Sequence, residues 1–289
     1  MTTRGWPALF FLLILLVAWP TPGVRADDLS ARQAMESQTN PLLLISTNRG
    51  SIYVELFPEE APQNVARFIS LNLGEFETIP GSSSQQAAPF YSGMRFHRVL
   101  PGVLIQSGSP AHNRFGDVAP PLADEINSKS LGLDLLRVLD GSGNFNPLLN
   151  ITSKPELDRK VLEPLYLSMN ITDAAALENQ QQQVLDRLKE MTIADLYALQ
   201  GYSYLDDFPT RPVRRGTLAL ANRGPDDNGS EFFISLVDSP ELDGKYTVLG
   251  QVIEGIEVAD VIGQTPVDAT RFDRNSTLIY STRLVTTGP

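Results

Sequence analysis

Residues 96–108 read F-H-R-V-L-P-G-V-L-I-Q-S-G, and two side chains within them, Arg98 and Gln106, suit the gripping of a carbonyl or a peptide group. Arginine presents five N–H donors in a rigid plane, and a glutamine amide oxygen is a natural partner to orient that plane. Apolar and polar residues alternate on both sides of Pro101-Gly102. That is the pattern of two short strands meeting at a tight turn, where proline presets φ and glycine accepts a positive φ. Strands folded back across this corner put Arg98 and Gln106 on one face. A second block, residues 218–236, reads L-A-L-A-N-R-G-P-D-D-N-G-S-E-F-F-I-S-L. A small-residue strand enters a turn-rich loop there, and an aromatic strand leaves it. A third stretch, Leu242-Asp243-Gly244-Lys245-Tyr246, is another turn opening onto an apolar strand. His97 and His112 are the only histidines, and neither has an acidic residue at a metal-ligand spacing. The D-D-N-G loop fits no calcium motif. No metal and no cofactor is expected.

The order and internal spacing of the three blocks resemble the cyclophilin family of peptidyl-prolyl cis-trans isomerases. Its members carry F-H-R-x-x-P-G-x-x-x-Q-x-G, then A-N-x-G-P-x-x-N-G-S-x-F-F-I, then L-D-G-K. The resemblance covers residues 42–285 and is interrupted once. It implies a mainly β fold, a cyclophilin-like eight-stranded antiparallel β-barrel capped by two helices, with an inserted helical segment. It also implies catalysis of X–Pro isomerisation, with Arg98 donating to the prolyl nitrogen and Gln106 orienting the guanidinium. Asn222 would hold the peptide backbone beside the small Ala221. Val103, Leu104, Phe233 and Leu242 would line the pocket for the proline ring, with Tyr246 at its rim. Phe96, His97 and Glu231 complete the expected substrate contacts, although His97 taken by itself reads as a framework residue. The chain departs from the family pattern at Val103 (a Phe there), Glu231 (a Gln), Glu241 (a Trp) and Tyr246 (a His). These changes bear on pocket depth, because the arginine and its glutamine are intact.

Several elements must position those residues. Residues 42–47 and 51–57 flank Asn48-Arg49-Gly50, a hairpin signal. Val65, Phe68, Ile69 and Leu73 recur at helical spacing before Gly74. Residues 216–222, 231–236, 246–252 and 277–285 supply further strands, and 256–262 a second helix. Between residues 117 and 212 stands the expected helical insertion, with eight basic against fifteen acidic residues, a net of −7. Thr172 is the expected N-cap of a helix over 173–190 whose apolar stripe is Leu177, Val184, Leu185 and Leu188. Thr192 would cap a shorter one over 193–199. The domain plan is therefore 1–26 as an export signal, 27–40 as an extension, 41–116 with 213–289 as the isomerase domain, and 117–212 as the insertion.

The export reading rests on the apolar run from Trp6 to Trp19, broken by Pro20, Pro22 and Gly23 and followed by Val24-Arg25-Ala26. The run falls short of the ~20 apolar residues that cross a bilayer, so no stable span remains once it is removed. An uncleaved N-terminal anchor is the alternative. The chain carries −11, and loss of Arg4 and Arg25 with the signal makes it −13, which excludes nucleic acid as a natural partner. There is no cysteine, hence no disulfide and no thiolate chemistry. A hydrophobic content of 42% is enough for a core to hold the fold without them. The expected protein is a monomeric, extracytoplasmic (for instance periplasmic) prolyl isomerase whose partners are proline-containing segments of exported client proteins. The rival is a proline-peptide binding module of low turnover that holds a partner through the insertion.

Overall fold

The computed structural model describes residues 27–76, 89–112, 120–265, 267 and 276–286; the expected export segment lies outside them. The chain opens with a short helix, α1 (Asp28–Ala34), started by the Asp27 carboxylate, which accepts from the backbone N–H groups of Leu29 and Ser30. A hairpin of β1 (Leu42–Thr47) and β2 (Gly50–Leu56) leads into α2 (Pro62–Leu73). A second hairpin pairs β3 (Arg98–Leu100) with β4 (Leu104–Ser107). The middle of the chain is helical: α3 (Lys154–Leu157), a π-helical turn Asp158–Leu162, α4 (Glu163–Ser168), α5 (Ala174–Glu190) and α6 (Ile193–Leu199). Then come β5 (Thr217–Leu220), β6 (Phe232–Ser235), β7 (Val248–Glu254), α7 (Ile256–Gly263) and β8 (Ile279–Leu284).

The eight strands form one antiparallel sheet in the order β3-β4-β6-β5-β7-β2-β1-β8. It curls until its edges meet. The Phe96 N–H donates to the Thr277 carbonyl at 3.0 Å, and the Ile279 N–H to the Met94 carbonyl at 2.7 Å. Strand side chains alternate between faces, so Leu43, Ile45, Ile52, Val54, Leu218 and Ile234 turn inward together. Val65, Phe68 and Leu71 of α2 and Ala259 and Ile262 of α7 complete that interior. The mainly β barrel with two packed helices is the architecture expected from the strand pattern. No helix among the described residues is long and apolar enough to cross a membrane.

The helical stretch has its own core, in which Leu133, Val138, Leu165, Val184, Leu188 and Leu196 are buried together. Three details correct the sequence reading. The cap of α5 is Asp173, not Thr172, because its carboxylate accepts from the Ala176 N–H. Leu185 is 49% exposed, so the buried stripe is carried by Val184 and Leu188. The run from α3 to α4 lies outside the two helices expected over 173–190 and 193–199, and it contains Pro155 and Pro164. Pro155 sits in the first turn of α3, where a missing N–H is harmless, whereas Pro164 comes just after the π-turn. Pro164 has no N–H to offer the carbonyl four residues back, that of Lys160. The winding loosens to a π-turn there, and the Gln200 side chain donates to that carbonyl at 2.6 Å.

Residue 117, the expected start of the insertion, lies outside the described residues. Residues 122–127 run extended along the barrel and hold it. The Glu125 carboxylate, 3% exposed, accepts from the Gln63 and Asn64 N–H groups at 3.0 and 2.9 Å. It thereby caps α2, whose own N-cap, Ala61, has no side chain for the task. The two ends of the helical stretch meet at a neck. The Asn127 N–H donates to the Thr210 hydroxyl at 2.8 Å, and the Leu205 N–H to the Ile126 carbonyl at 2.9 Å.

Candidate active site

The site is built on the corner between β3 and β4. Gly102 takes φ +70 there, so the chain reverses within three residues and the register pairs Arg98 with Gln106. Alternation sends Ile105 into the barrel and leaves Leu104 and Gln106 on the outer face. Gln106 Oε1 accepts from Arg98 Nη1 at 2.9 Å. Arg98 is exposed and has no carboxylate partner among the described residues. On its other side the Gln106 amide donates to Glu231 Oε2 at 2.5 Å. A carboxylate has only acceptors to offer, so this contact fixes which end of the amide faces Arg98.

Glu231 stands just before β6, 3.5 Å from His97 Nε2. Burial works to raise its carboxyl, but the His97 hydrogen bond and charge, with donors from Gln106 and Ser109, outweigh it and hold the group below its ordinary value. The His112 ring lies 5.4 Å from that of His97. Burial lowers the His112 imidazole, and the charges of Arg95 and His97 lower it further. The histidines therefore stand behind the arginine and glutamine, with the carboxylate between.

Beside this polar line lies an apolar one. Leu104, Val213, Ala219, Phe233 and Val248 are buried together on the outer face, with Leu100, Ala221, Leu242 and Tyr246 packed against them. The rings of Phe233 and Tyr246 meet edge to face at 5.4 Å. Four of the expected proline-pocket residues are thus in one cluster. The fifth, Val103, is 40% exposed at the corner and leaves that flank open. Phe96 is a correction. It is fully buried in the barrel interior, packed edge to face on Phe232, and cannot touch a ligand on the outer face. Asn222 follows Ala221 out of β5, and its amide donates to the Lys245 carbonyl at 3.0 Å. The amide oxygen of Asn222 is an acceptor suited to a peptide N–H.

A cleft of about 380 Å³ lies between Gln106, Asn222 and Glu231, walled by Pro110, Pro121 and Arg223. The loop that carries Asn222 is held from behind. The Asn228 amide donates to Asp124 at 2.8 Å, and the Asp226 N–H donates to the same carboxylate at 3.0 Å.

Sequence reasoning missed the contact between the helical stretch and the turn after Leu242. Gly244 takes φ +81, and a Cβ there would lie 2.4 Å from Leu133 Cδ1, so glycine alone lets the two parts approach this closely. The Tyr204 hydroxyl donates to the Gly244 carbonyl at 3.0 Å. Lys245 places its ammonium 4.4 Å from the centre of the Tyr197 ring and donates to the Glu241 carbonyl at 3.0 Å. Burial lowers that ammonium to about 8. The one local sign was the density of tyrosines at 197, 202 and 204.

The family model described as cyclophilin type peptidyl-prolyl cis-trans isomerase/CLD matches residues 42–284. Peptidyl-prolyl cis-trans isomerase B of Streptomyces anulatus is 27% identical over 233 residues, covering 80% of this chain and 87% of that protein. Peptidyl-prolyl cis-trans isomerase A of Mycobacterium tuberculosis is 27% identical over 227 residues, 78% of this chain and 81% of its own. Among solved structures, a cyclophilin type peptidyl-prolyl cis-trans isomerase of Cryptosporidium parvum superposes with a TM-score of 0.48 at 18% identity, over 86% of this chain and 99% of that one.

Proposed function

The chain belongs to the cyclophilin type peptidyl-prolyl cis-trans isomerase family, and on that premise we propose that it isomerises X–Pro bonds of exported polypeptides on the outer face of β3, β4 and β6. An X–Pro bond barely prefers trans, yet amide resonance opposes rotation by ~18–20 kcal/mol. No covalent step is needed. When the amide twists, the prolyl nitrogen becomes pyramidal and gains a lone pair, and a donor already fixed beside it favours that state over the planar one. The observation that carries the assignment is the Arg98 guanidinium held at 2.9 Å by Gln106 at the edge of an apolar cluster. In this reading Leu104, Phe233, Leu242 and Tyr246 take the proline ring. Asn222 takes the peptide backbone beside Ala221, and Glu231 keeps Gln106 turned toward the arginine.

The rival reading, a proline-peptide binder of low turnover, predicts binding without rate. Cis–trans exchange of an X–Pro tetrapeptide, measured for the chain from residue 27 onward, separates them. Exchange no faster than in buffer, with the peptide still bound, would establish the binder. Export is supported by the apolar run 6–19 and its Pro-rich end. Fusion of residues 1–30 to a reporter tests it, and a reporter retained in the cytoplasm would refute it.

A further inference from the structure

Beyond the cleft at Gln106 and Asn222 lies a second concavity of about 390 Å³, between the helical stretch and the loop that leaves Asn222. Its walls include Arg159 and Leu167 from the π-turn and α4, Tyr202 from beyond α6, and Arg223 from the barrel loop. Arg223 lines both concavities, so the two are neighbours on the surface. Its side chain is 95% exposed and, among the described residues, its one ion pair is with Asp227 at 3.6 Å. Arg159 is exposed and makes no ion pair or hydrogen bond among the described residues. Lys160 also borders the space, but its ammonium is drawn back onto the Asn150 carbonyl and Glu156. Glu163 is the one carboxylate on the wall. In a chain of net charge −11, the guanidiniums of Arg159, unpaired among the described residues, and of Arg223, held only by the 3.6 Å contact with Asp227, border one hollow next to an exposed Leu167.

The π-turn explains how Arg159 comes to face it. Pro164 forces the looser winding, and Gln200 at the end of α6 holds the Lys160 carbonyl, so Arg159 is presented beside Tyr202 rather than along a regular helix. We propose that this hollow is an exosite for an acidic stretch of the same polypeptide whose X–Pro bond lies in the first cleft. The inference rests on the isomerase reading of that cleft. A tethered segment binds at high effective concentration, so two guanidiniums and a patch of apolar surface suffice without a deep pocket. Bidentate pairing favours arginine here, since it matches a carboxylate in geometry as well as charge.

The test uses the chain from residue 27 onward and labelled peptides that share an Ala-Pro core. Tails of eight residues, placed on either side of the core, are rich in Asp and Glu, in Ser and Gly, or in Lys. Affinity is read by fluorescence polarisation and turnover by exchange spectroscopy. An acidic tail on one side should bind about three- to tenfold more tightly than the neutral one, as expected of two exposed ion pairs. That advantage should vanish between about 0.05 and 0.5 M salt. Arg159→Glu should abolish it while leaving turnover of the bare tetrapeptide unchanged. Equal affinity for all tails, or an acidic preference that survives Arg159→Glu, would overturn the proposal. So would binding to phosphatidylglycerol vesicles without any tail preference, which would assign the guanidiniums to a membrane surface. A tail preference without turnover of the core peptide would uphold the exosite and count against the isomerase reading alone.

Discussion

Along β4, β6 and β5, neighbouring residues face two different environments. Ile105, Phe232, Ile234, Leu218 and Leu220 point into the barrel, where both helices and the opposite strands cover them. Leu104, Phe233 and Ala219 point outward and are covered only by Val213, Val248 and the partly buried Leu100, Ala221, Leu242 and Tyr246. The same alternation thus makes a closed core on one side and a small, edged receptor on the other. What separates them is the return of two loops, residues 221–231 and 239–247, over the outer face alone. Those loops bring polar groups to the rim, which an interior cannot accept.

The sharpest way to break this comparison is to remove one ring from each face. Phe232→Ala should cost about 3–5 kcal/mol in denaturant unfolding, since the barrel interior cannot collapse around the void. Phe233→Ala should cost less, because Leu242 and Tyr246 can move in, and it should raise KM for an X–Pro peptide. Equal stability losses with unchanged KM would show that the outer face is ordinary core. Next in size is Arg98→Ala. The unfolding midpoint should stay put, since the side chain is exposed, while turnover should fall by about a hundredfold or more, as for other fixed transition-state donors. Wild-type turnover in that variant would remove the proposed mechanism.

Replacing residues 130–204 with a short Gly/Ser linker sharpens the comparison further. Asn127 and Thr210 already meet at 2.8 Å, so the ends are close, and loop closure depends only weakly on length. Both faces should survive, with tetrapeptide turnover retained. An excision that reached Glu125 should instead loosen α2, by about 0.5–2 kcal/mol, as loss of a helix cap does. The last contrast is a pH dependence. Lys245 is lowered from 10.5 to about 8 by burial. Between those values the unfolded chain holds a proton that the folded chain has shed, so stability should rise with pH across that window. Lys245→Met should flatten the rise, and an unchanged slope would show that the ammonium is not the group responsible.

Much of this was legible beforehand because it is local. Arg98 and Gln106 lie across a single corner, and period-two alternation alone decides that they share a face. The pocket residues came from matching blocks, which place side chains correctly only where the backbone is regular. Phe96 precedes β3, outside the paired strand, and there the alternation fails and the ring turns inward. The helices around Pro155 and Pro164 were hidden because a proline's meaning depends on its position within a turn. Least legible were Glu125 at α2 and Tyr197 at Lys245. Neither side chain shows a propensity for its partner, and only the folded chain brings them together.

The strand order has a consequence for the time course of synthesis. β2 pairs with β7, β1 with β8, and β4 with β6. β1, β2 and β4 therefore each wait for a partner made beyond residue 217, and before then only the two hairpins can pair. At about 5–20 residues per second, β2 waits roughly ten to forty seconds for β7. The helical stretch waits for nothing comparable, since its core draws on residues 131–204. A nascent chain halted at residue 212 should therefore show slow hydrogen exchange in α5 and α6 and fast exchange in β1 and β2. The reverse pattern would mean that the first hairpins find shelter elsewhere. The last-made eighty residues close a barrel whose first half has stood open, next to a unit already folded.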